Sequence, residues 1–101
     1  MQVPPDFRGE WAGSASACGR AGDEARLRVA ADRVTFHESA GPVLAVEQHP
    51  GREITVRVGL TGEGQARTLA RRWRLSPDGA TLQDVTEGEG LVRQRCPAAR
   101  E

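Results

Sequence analysis

Phe7-Arg8-Gly9-Glu10-Trp11 is the stretch from which the fold of this chain is read most directly. Period-two spacing places Phe7, Gly9 and Trp11 on one face of an extended strand. An inward-facing indole forms the floor of a small core, and a glycine beside it leaves room for another side chain or backbone segment to approach. We therefore expect the later segments of the chain to close over Trp11.

The composition describes one small domain without an overall charge. A chain of 101 residues forms a single domain, residues 1–101, with one hydrophobic core. Its 14 basic residues balance its 14 acidic ones. A protein without net charge has no global field to draw it to nucleic acid, and no segment has the roughly 20 apolar residues of a membrane span. We expect no nucleic-acid partner, no membrane span and a monomer.

Short alternating segments, separated by Gly-rich and Pro-rich turns, fill the rest of the sequence. Residues 54–60 are the clearest, because apolar residues occupy every second position, which is typical of an antiparallel strand with one buried face. In the segment before it we expect Leu44 and Val46 to share a face. The expected strands cover 9–15, 27–29, 34–36, 43–49, 54–60, 69–75, 82–86 and 91–96.

A helix over residues 23–33 is the competing interpretation of one part of this pattern, since Ala, Arg, Glu and Leu favour helix. Leu27 and Val29 keep a period of two, and no capping residue precedes them, which favours strands instead. About eight short strands without a helix predict an all-β antiparallel meander that closes into a small β-barrel and so hides its edges. Such a barrel is filled by its own side chains or holds one small ligand.

The two cysteines bear on the compartment. Cys18 follows the first strand and Cys96 ends the last one, so a chain that returns to its start brings them together. A disulfide between them would stabilise the fold by roughly 4 kcal/mol and indicates an oxidising compartment; two free thiols acting as small hydrophobes are the alternative. The amino terminus has no signal pattern, and residues 14–19 resemble a lipoprotein cleavage site without its apolar segment. We expect a periplasmic or envelope protein with a signal peptide upstream of Met1.

The Phe7-x-Gly9-x-Trp11 motif resembles the opening motif of lipocalins and of related small bacterial envelope barrels. This resemblance implies the barrel fold and an arginine of a late strand lying across the tryptophan, a place for Arg93 or Arg95. The chain is shorter than a full lipocalin, has no room for the helix before the last strand, and contains no Tyr. Its size and expected disulfide also resemble periplasmic barrels that inhibit lysozymes or metalloproteases, although no inhibitory motif of either group is present.

Reactive residues occur without the spacing of a catalytic or metal site. His37 and Glu38 are adjacent and would point to opposite faces of a strand, so they cannot easily act on one substrate atom. Gly59-x-x-Gly62-x-Gly64 opens no helix and carries no Lys, which indicates a hairpin turn instead of a phosphate loop. The candidate metal ligands lack paired spacing; they are His37, His49, Cys18 and Cys96. We expect no catalytic residue, metal or cofactor.

The strongest polar cluster surrounds Trp73 and consists of Arg67, Arg71, Arg72 and Arg74. A basic strand with an aromatic is one way to bind single-stranded nucleic acid, but Trp73 shares a face with apolar residues and is expected to be buried. Arg71 is the charge on that apolar face, where it either lies at the rim or pairs with Glu38 or Asp84.

These patterns predict a non-catalytic binding or inhibitor-like module that acts on another envelope protein. A lipocalin-like carrier of a small apolar ligand is the alternative. Phe36, Arg71 and Trp73 are the candidate ligand or partner contacts. A ligand-sized cavity lined by Trp11, Phe36 and Trp73 would support the carrier, whereas a core filled by these side chains would count against it.

Overall fold

The computed structural model describes residues 2–20, 22–62 and 64–97. Within them the protein is all-β, as predicted, with two short 3-10 helices, Pro5–Phe7 and Ala15–Ala17. The strands, in chain order, are β1 Gly9–Ala12, β2 Leu27–Val29, β3 Arg33–Thr35, β4 Ala40–His49, β5 Glu53–Gly62, β6 Gln65–Leu75, β7 Thr81–Asp84 and β8 Val92–Arg95.

The eight strands form a closed antiparallel barrel. Each strand pairs with its neighbour in the chain, and the pairing of β1 with β8 closes the sheet, with Trp11 opposite Arg95. The Gly59-x-x-Gly62-x-Gly64 segment joins β5 to β6, which pair antiparallel. The predicted meander barrel is therefore confirmed, and closure is the arrangement that leaves no edge strand unpaired.

Side chains alternate between the barrel interior and its outer face along the long strands β5 and β6. Ile54 lies opposite Trp73, and both are buried. Val56 lies opposite Arg71, so that arginine also faces inward. The interior is a continuous apolar core, which consists of Val3, Phe7, Trp11, Leu27, Val29, Val34, Ile54, Val56, Val58, Leu60, Trp73, Leu75 and Leu82.

The amino-terminal segment covers one end of the barrel, which we call the closed end. The backbone N–H of Val3 donates to the carbonyl of Ala31 at 2.8 Å, and Pro5 begins the first 3-10 helix. Phe7 is buried, and its carbonyl accepts a hydrogen bond from Trp11 Nε1 at 3.1 Å. The indole is thus held between the barrel wall and this amino-terminal segment, residues 2–8, which we call the plug.

The connection between β1 and β2 differs from the expected pattern. The predicted first strand extends to residue 15, but β1 ends at Ala12 and a 3-10 helix follows at Ala15–Ala17. The backbone N–H groups of Gly13 and Ala25 both donate to the Asp23 carboxylate, which folds the connection back on itself. No helix forms over residues 23–33, which contain turns, β2 and the first residue of β3.

A β-bulge in β4 changes which of its residues face the core. The register against β5 shifts between Val43 and Ala45, so the alternation expected from a regular strand is broken. Val43 and Val46 pack against the core, whereas Leu44 is 54 % exposed. The prediction that Leu44 and Val46 share a face was wrong, because one additional residue in the ladder inverts the facing of every residue on one side of it.

Gly41 is required where β4 lies very close to the backbone of β5, and its replacement gives a first prediction. A Cβ atom at Gly41 would lie 1.7 Å from the carbonyl oxygen of Gly59, a contact that only a backbone shift relieves. We expect Gly41→Ala to lower the free energy of unfolding by about 2 kcal/mol or more, measured by urea denaturation. Gly22→Ala is the matched control, since a Cβ there meets nothing within 4 Å. Equal stability of the two variants would contradict the close approach of Gly41 to Gly59.

Cys18 and Cys96 form the predicted disulfide, with their Cα atoms 5.7 Å apart and a sequence separation of 78. The bridge ties the segment after β1 to the residue that follows β8. Because both sulfur atoms are bonded to each other, neither thiol is free for a metal or a lipid. No helix in the described part of the chain is long and apolar enough to cross a membrane.

Candidate functional site

A cavity of about 420 Å³ lies at the end of the barrel away from the amino-terminal plug, and we call it the open-end cavity. β3 starts near Ala31, which bonds the plug, and it ends at Thr35, so the residue after it belongs to this opposite end. The volume falls within the roughly 300–1,000 Å³ of small-ligand sites. The lining residues are Phe36, Leu69, Arg71, Asp84, Glu87, Gly88, Gly90, Leu91 and Arg93.

Apolar side chains form one wall of the open-end cavity. Phe36 follows β3, and its backbone N–H donates to the carbonyl of Ser39 at 2.7 Å, which closes the turn to β4. Leu69 faces inward from β6, opposite Val58. Phe36 and Leu69 both pack against the core while lining the cavity. Leu91, 47 % exposed, extends the apolar wall to the rim.

An ion pair forms the facing wall. Arg71 Nη1 lies 3.4 Å from Asp84 Oδ2 and 3.6 Å from Glu87 Oε1. The other oxygen of Asp84 accepts from the backbone N–H of Thr86 at 3.0 Å, so both carboxylate oxygens are engaged. Of the two partners the sequence suggested for Arg71, Asp84 is the one found. The pairing of β6 with β7 explains this, whereas Glu38 lies in the turn after β3.

Arg93 is the least expected residue of the site. It is only 8 % exposed, and its Nε donates to the carbonyl of Ala25 at 2.6 Å. Its Nη1 is buried without a hydrogen-bond acceptor, and no carboxylate among the described residues lies within 4.0 Å of its guanidinium. Burial lowers the pKa of Arg93, and Asp84 opposes this effect by favouring the charged form.

Arg95 takes the place across Trp11 that the resemblance offered to Arg93 or Arg95. Its guanidinium carbon lies 4.3 Å from the centre of the Trp11 ring. Its three nitrogens donate to three backbone carbonyls, those of Arg8, Asp6 and Gly79. Period-two spacing placed Arg93 and Arg95 on one face, and the register of β8 against β1 decides which of them meets the indole.

Gly9 is the reason that the Arg95 side chain fits at the closed end. A Cβ atom at Gly9 would lie 3.0 Å from Arg95 Nη1, and the φ of Gly9 is 125°, which side-chain-bearing residues rarely adopt. The Phe7-x-Gly9-x-Trp11 motif therefore brings together a plug, an opening for a guanidinium and the indole beneath it. These residues lie apart from the open-end cavity and act in the stability of the fold.

Trp73 is not part of the open-end cavity. It is fully buried in the core, as predicted, and its Nε1 has no hydrogen-bond partner. A buried ring is not available for base stacking. The neighbouring Arg74 and Arg72 donate to the two carboxylate oxygens of Glu53 at 2.8 Å and 2.7 Å. These hydrogen bonds lower the pKa of Glu53 and hold the outer face of β6 in an ion-pair network.

The two histidines lie apart from the cavity. His37 is in the turn after β3, not in a strand, and its Nε2 is 3.9 Å from Glu38 Oε2. The expectation that these two side chains point to opposite faces was wrong, because that rule holds for strands only. His49 Nε2 lies 2.7 Å from the hydroxyl of Thr55. Within the described ranges, no three His, Cys, Asp or Glu side chains are grouped to hold a metal ion.

A second, larger depression of about 700 Å³ lies at the closed end. It is bounded by the turn at residues 76–80, by Arg52 and by the segments near both chain ends. Two of the charged side chains that line it already have partners, since Arg95 donates to backbone carbonyls and Asp78 accepts from Ser76 and from the backbone of Ala80. The depression is therefore a surface groove around the plug, and the open-end cavity is the candidate site.

Neither a scan against protein-family models nor searches of curated proteins and of solved structures finds a match to this chain.

Proposed function

We propose that this protein is a non-catalytic binding module of the bacterial periplasm or cell envelope, and that it binds another envelope protein through the open end of its barrel. The observation that carries the proposal is the open-end cavity, which combines an apolar wall with a buried guanidinium that has an unused donor. A concave apolar site with a few polar groups is the form that binding sites take.

The polar groups of the cavity favour binding over catalysis. Asp84 is the most buried carboxylate there, and both of its oxygens are engaged by Arg71 and by the backbone of Thr86. Glu87 is 80 % exposed and contacts the same arginine. The lining residues include no Ser, Cys, His or Lys, the side chains from which a nucleophile or a general base is usually drawn.

The disulfide and the lipocalin resemblance each support one part of this proposal, the compartment and the kind of barrel. A disulfide between Cys18 and Cys96 persists in an oxidising compartment, and the bacterial periplasm is one. The guanidinium of Arg95 across the Trp11 ring is the contact that the lipocalin resemblance implied. We propose on this basis that the protein is a shortened lipocalin-like barrel, although fold alone does not define its activity.

Site-specific photo-crosslinking in cells of the native host tests the proposed function. A benzoyl-phenylalanine at Leu91, on the rim of the cavity, is expected to give an adduct with one envelope protein. The same group at Leu44 is the matched control, because Leu44 is a similarly exposed leucine outside the cavity lining. Identical adducts from both positions, or none from Leu91, would overturn the proposal.

A carrier of a small apolar ligand is the second candidate, and the size of the open-end cavity favours it. Of the three residues expected to line a carrier's cavity, Phe36 does so, whereas Trp11 and Trp73 are packed into the core. A ligand would therefore be confined to the open end of the barrel. A carrier isolated from its host would retain a small molecule that native mass spectrometry detects, and an adduct-forming protein partner would not be needed.

A further inference from the structure

We propose that the open-end cavity recognises a carboxylate joined to an apolar group, and that Arg93 is the residue that binds the carboxylate. This inference rests on the proposed function, because it names the chemical group that the open end of the barrel would accept. It applies equally to a free carboxylic acid and to the carboxyl terminus of a protein, since both present the same group.

The unpaired state of Arg93 is the first argument. A guanidinium carries five N–H donors and a permanent charge, and a buried one is normally paired with an anion. Arg93 is more than nine-tenths buried, donates a hydrogen bond from Nε to the neutral carbonyl of Ala25, and leaves Nη1 without an acceptor. A carboxylate offers two acceptor oxygens in the spacing that a guanidinium matches, so it would supply what this side chain lacks.

The charges around the cavity are the second argument. Its lining holds two guanidiniums, those of Arg71 and Arg93, and two carboxylates, those of Asp84 and Glu87. Both carboxylates contact Arg71, at 3.4 Å and 3.6 Å. Asp23, which also favours the charged form of Arg93, accepts hydrogen bonds from the backbone N–H groups of Gly13 and Ala25. A ligand carboxylate would therefore give Arg93 the direct anionic partner that Arg71 already has.

The apolar wall specifies the rest of the ligand. Phe36, Leu69 and Leu91 line the same cavity as Arg93. A ligand whose carboxylate is hydrogen-bonded to the guanidinium would therefore place its remaining atoms against these apolar side chains. A hydrated inorganic anion gains nothing from that wall, whereas an alkyl or leucine-like group does. Nη1 itself is shielded from solvent, so the ligand has to enter past the rim and replace side-chain contacts above it.

Titration of the full chain with hexanoate and with hexanamide, followed by NMR chemical shifts, tests the inference. The two probes share a tail and differ in charge. At neutral pH we expect hexanoate to bind about tenfold more tightly than hexanamide, because a charge-assisted hydrogen bond replaces a neutral one. The largest shifts are expected at Phe36, Leu69 and Leu91. Equal affinities, or shifts confined to the closed-end groove, would overturn the inference.

Variants assign the effect to Arg93. Arg93→Met is expected to raise the Kd of hexanoate about tenfold and to leave that of hexanamide unchanged, and Arg93→Lys is expected to restore part of the difference. Arg57→Met is the matched control, because Arg57 is an exposed arginine of β5 outside the cavity lining. Retention of the full preference for hexanoate in Arg93→Met would contradict the assignment.

A surface variant keeps the test valid if Arg93→Met does not fold. Leu91→Glu places a negative charge on the exposed rim and is expected to weaken hexanoate binding severalfold. Leu44→Glu, at a similarly exposed leucine away from the cavity, is expected to have no effect. Equal hexanoate affinities in these two variants would place the carboxylate elsewhere.

Two further probes distinguish the source of the carboxylate. The peptide Ala-Ala-Ala-Leu with a free carboxyl terminus is expected to bind, and its amidated form is not, if the ligand is the end of a protein; hexanoate alone is expected to bind if it is a free acid. Binding of both hexanoate and hexanamide with equal affinity at the cavity would end the carboxylate inference and leave the proposed function standing. A crosslink from Leu91 without any binding of carboxylates would do the same.

Discussion

Trp11→Ala is expected to lower the free energy of unfolding by about 3–5 kcal/mol. The indole is 1 % exposed, lies beneath the guanidinium of Arg95 at 4.3 Å, and donates to the carbonyl of Phe7. Its removal leaves a cavity in the core, an acceptor in the plug without its donor, and a guanidinium without the ring beneath it. Because domains of this size are stable by only about 5–15 kcal/mol, the loss is a large fraction of the total.

Urea denaturation followed by the fluorescence of Trp73 measures this effect, since Trp73 is then the remaining tryptophan of the chain. Leu44→Ala is the control, because an exposed leucine is expected to change stability by less than about 0.5 kcal/mol. A loss below about 1 kcal/mol for Trp11→Ala would show that the closed end does not depend on the indole.

Removal of the disulfide is expected to have an effect of similar size. The double variant Cys18→Ala/Cys96→Ala should lose about 4 kcal/mol, because the bridge spans 78 positions and restricts the unfolded chain through most of its length. The same restriction makes the unfolded state more compact, so the dependence of the unfolding free energy on urea should be steeper in the variant. Equilibrium urea denaturation reports both quantities.

The wild-type protein in the presence of a reducing agent is the control for this variant. Its stability should fall to nearly that of the double variant, because both lack the same covalent restriction. Equal stability of the oxidised protein and the double variant would mean that the returning chain is held by pairing of β1 with β8 alone. Each alanine removes one sulfur atom, at a partly buried position for Cys18 and at a buried one for Cys96.

The open-end cavity shows where prediction from the sequence reaches its limit. The pairing of Arg71 with Asp84 was one of two alternatives that the pattern allowed, and the register of β6 against β7 selects it. For Arg93, the resemblance implied only a place across Trp11, which Arg95 takes. The depth of Arg93 in the barrel and its missing acceptor depend on which strands surround it.

The alternation of Ile54, Val56, Val58 and Leu60, together with the spacing of the turns, predicted most of the strands and their closure into a barrel. The positions of the two cysteines favoured the Cys18–Cys96 bridge over two free thiols. The strands follow from local periodicity, which the sequence carries directly. Only the tertiary structure decided that a bulge exposes Leu44, that Arg95 covers Trp11, and that Arg93 is left unpaired beneath an apolar rim. The physical reason is that register and shear between strands are set by the packing of the whole barrel, so that the depth of each inward residue is a property of the closed sheet and not of its own strand.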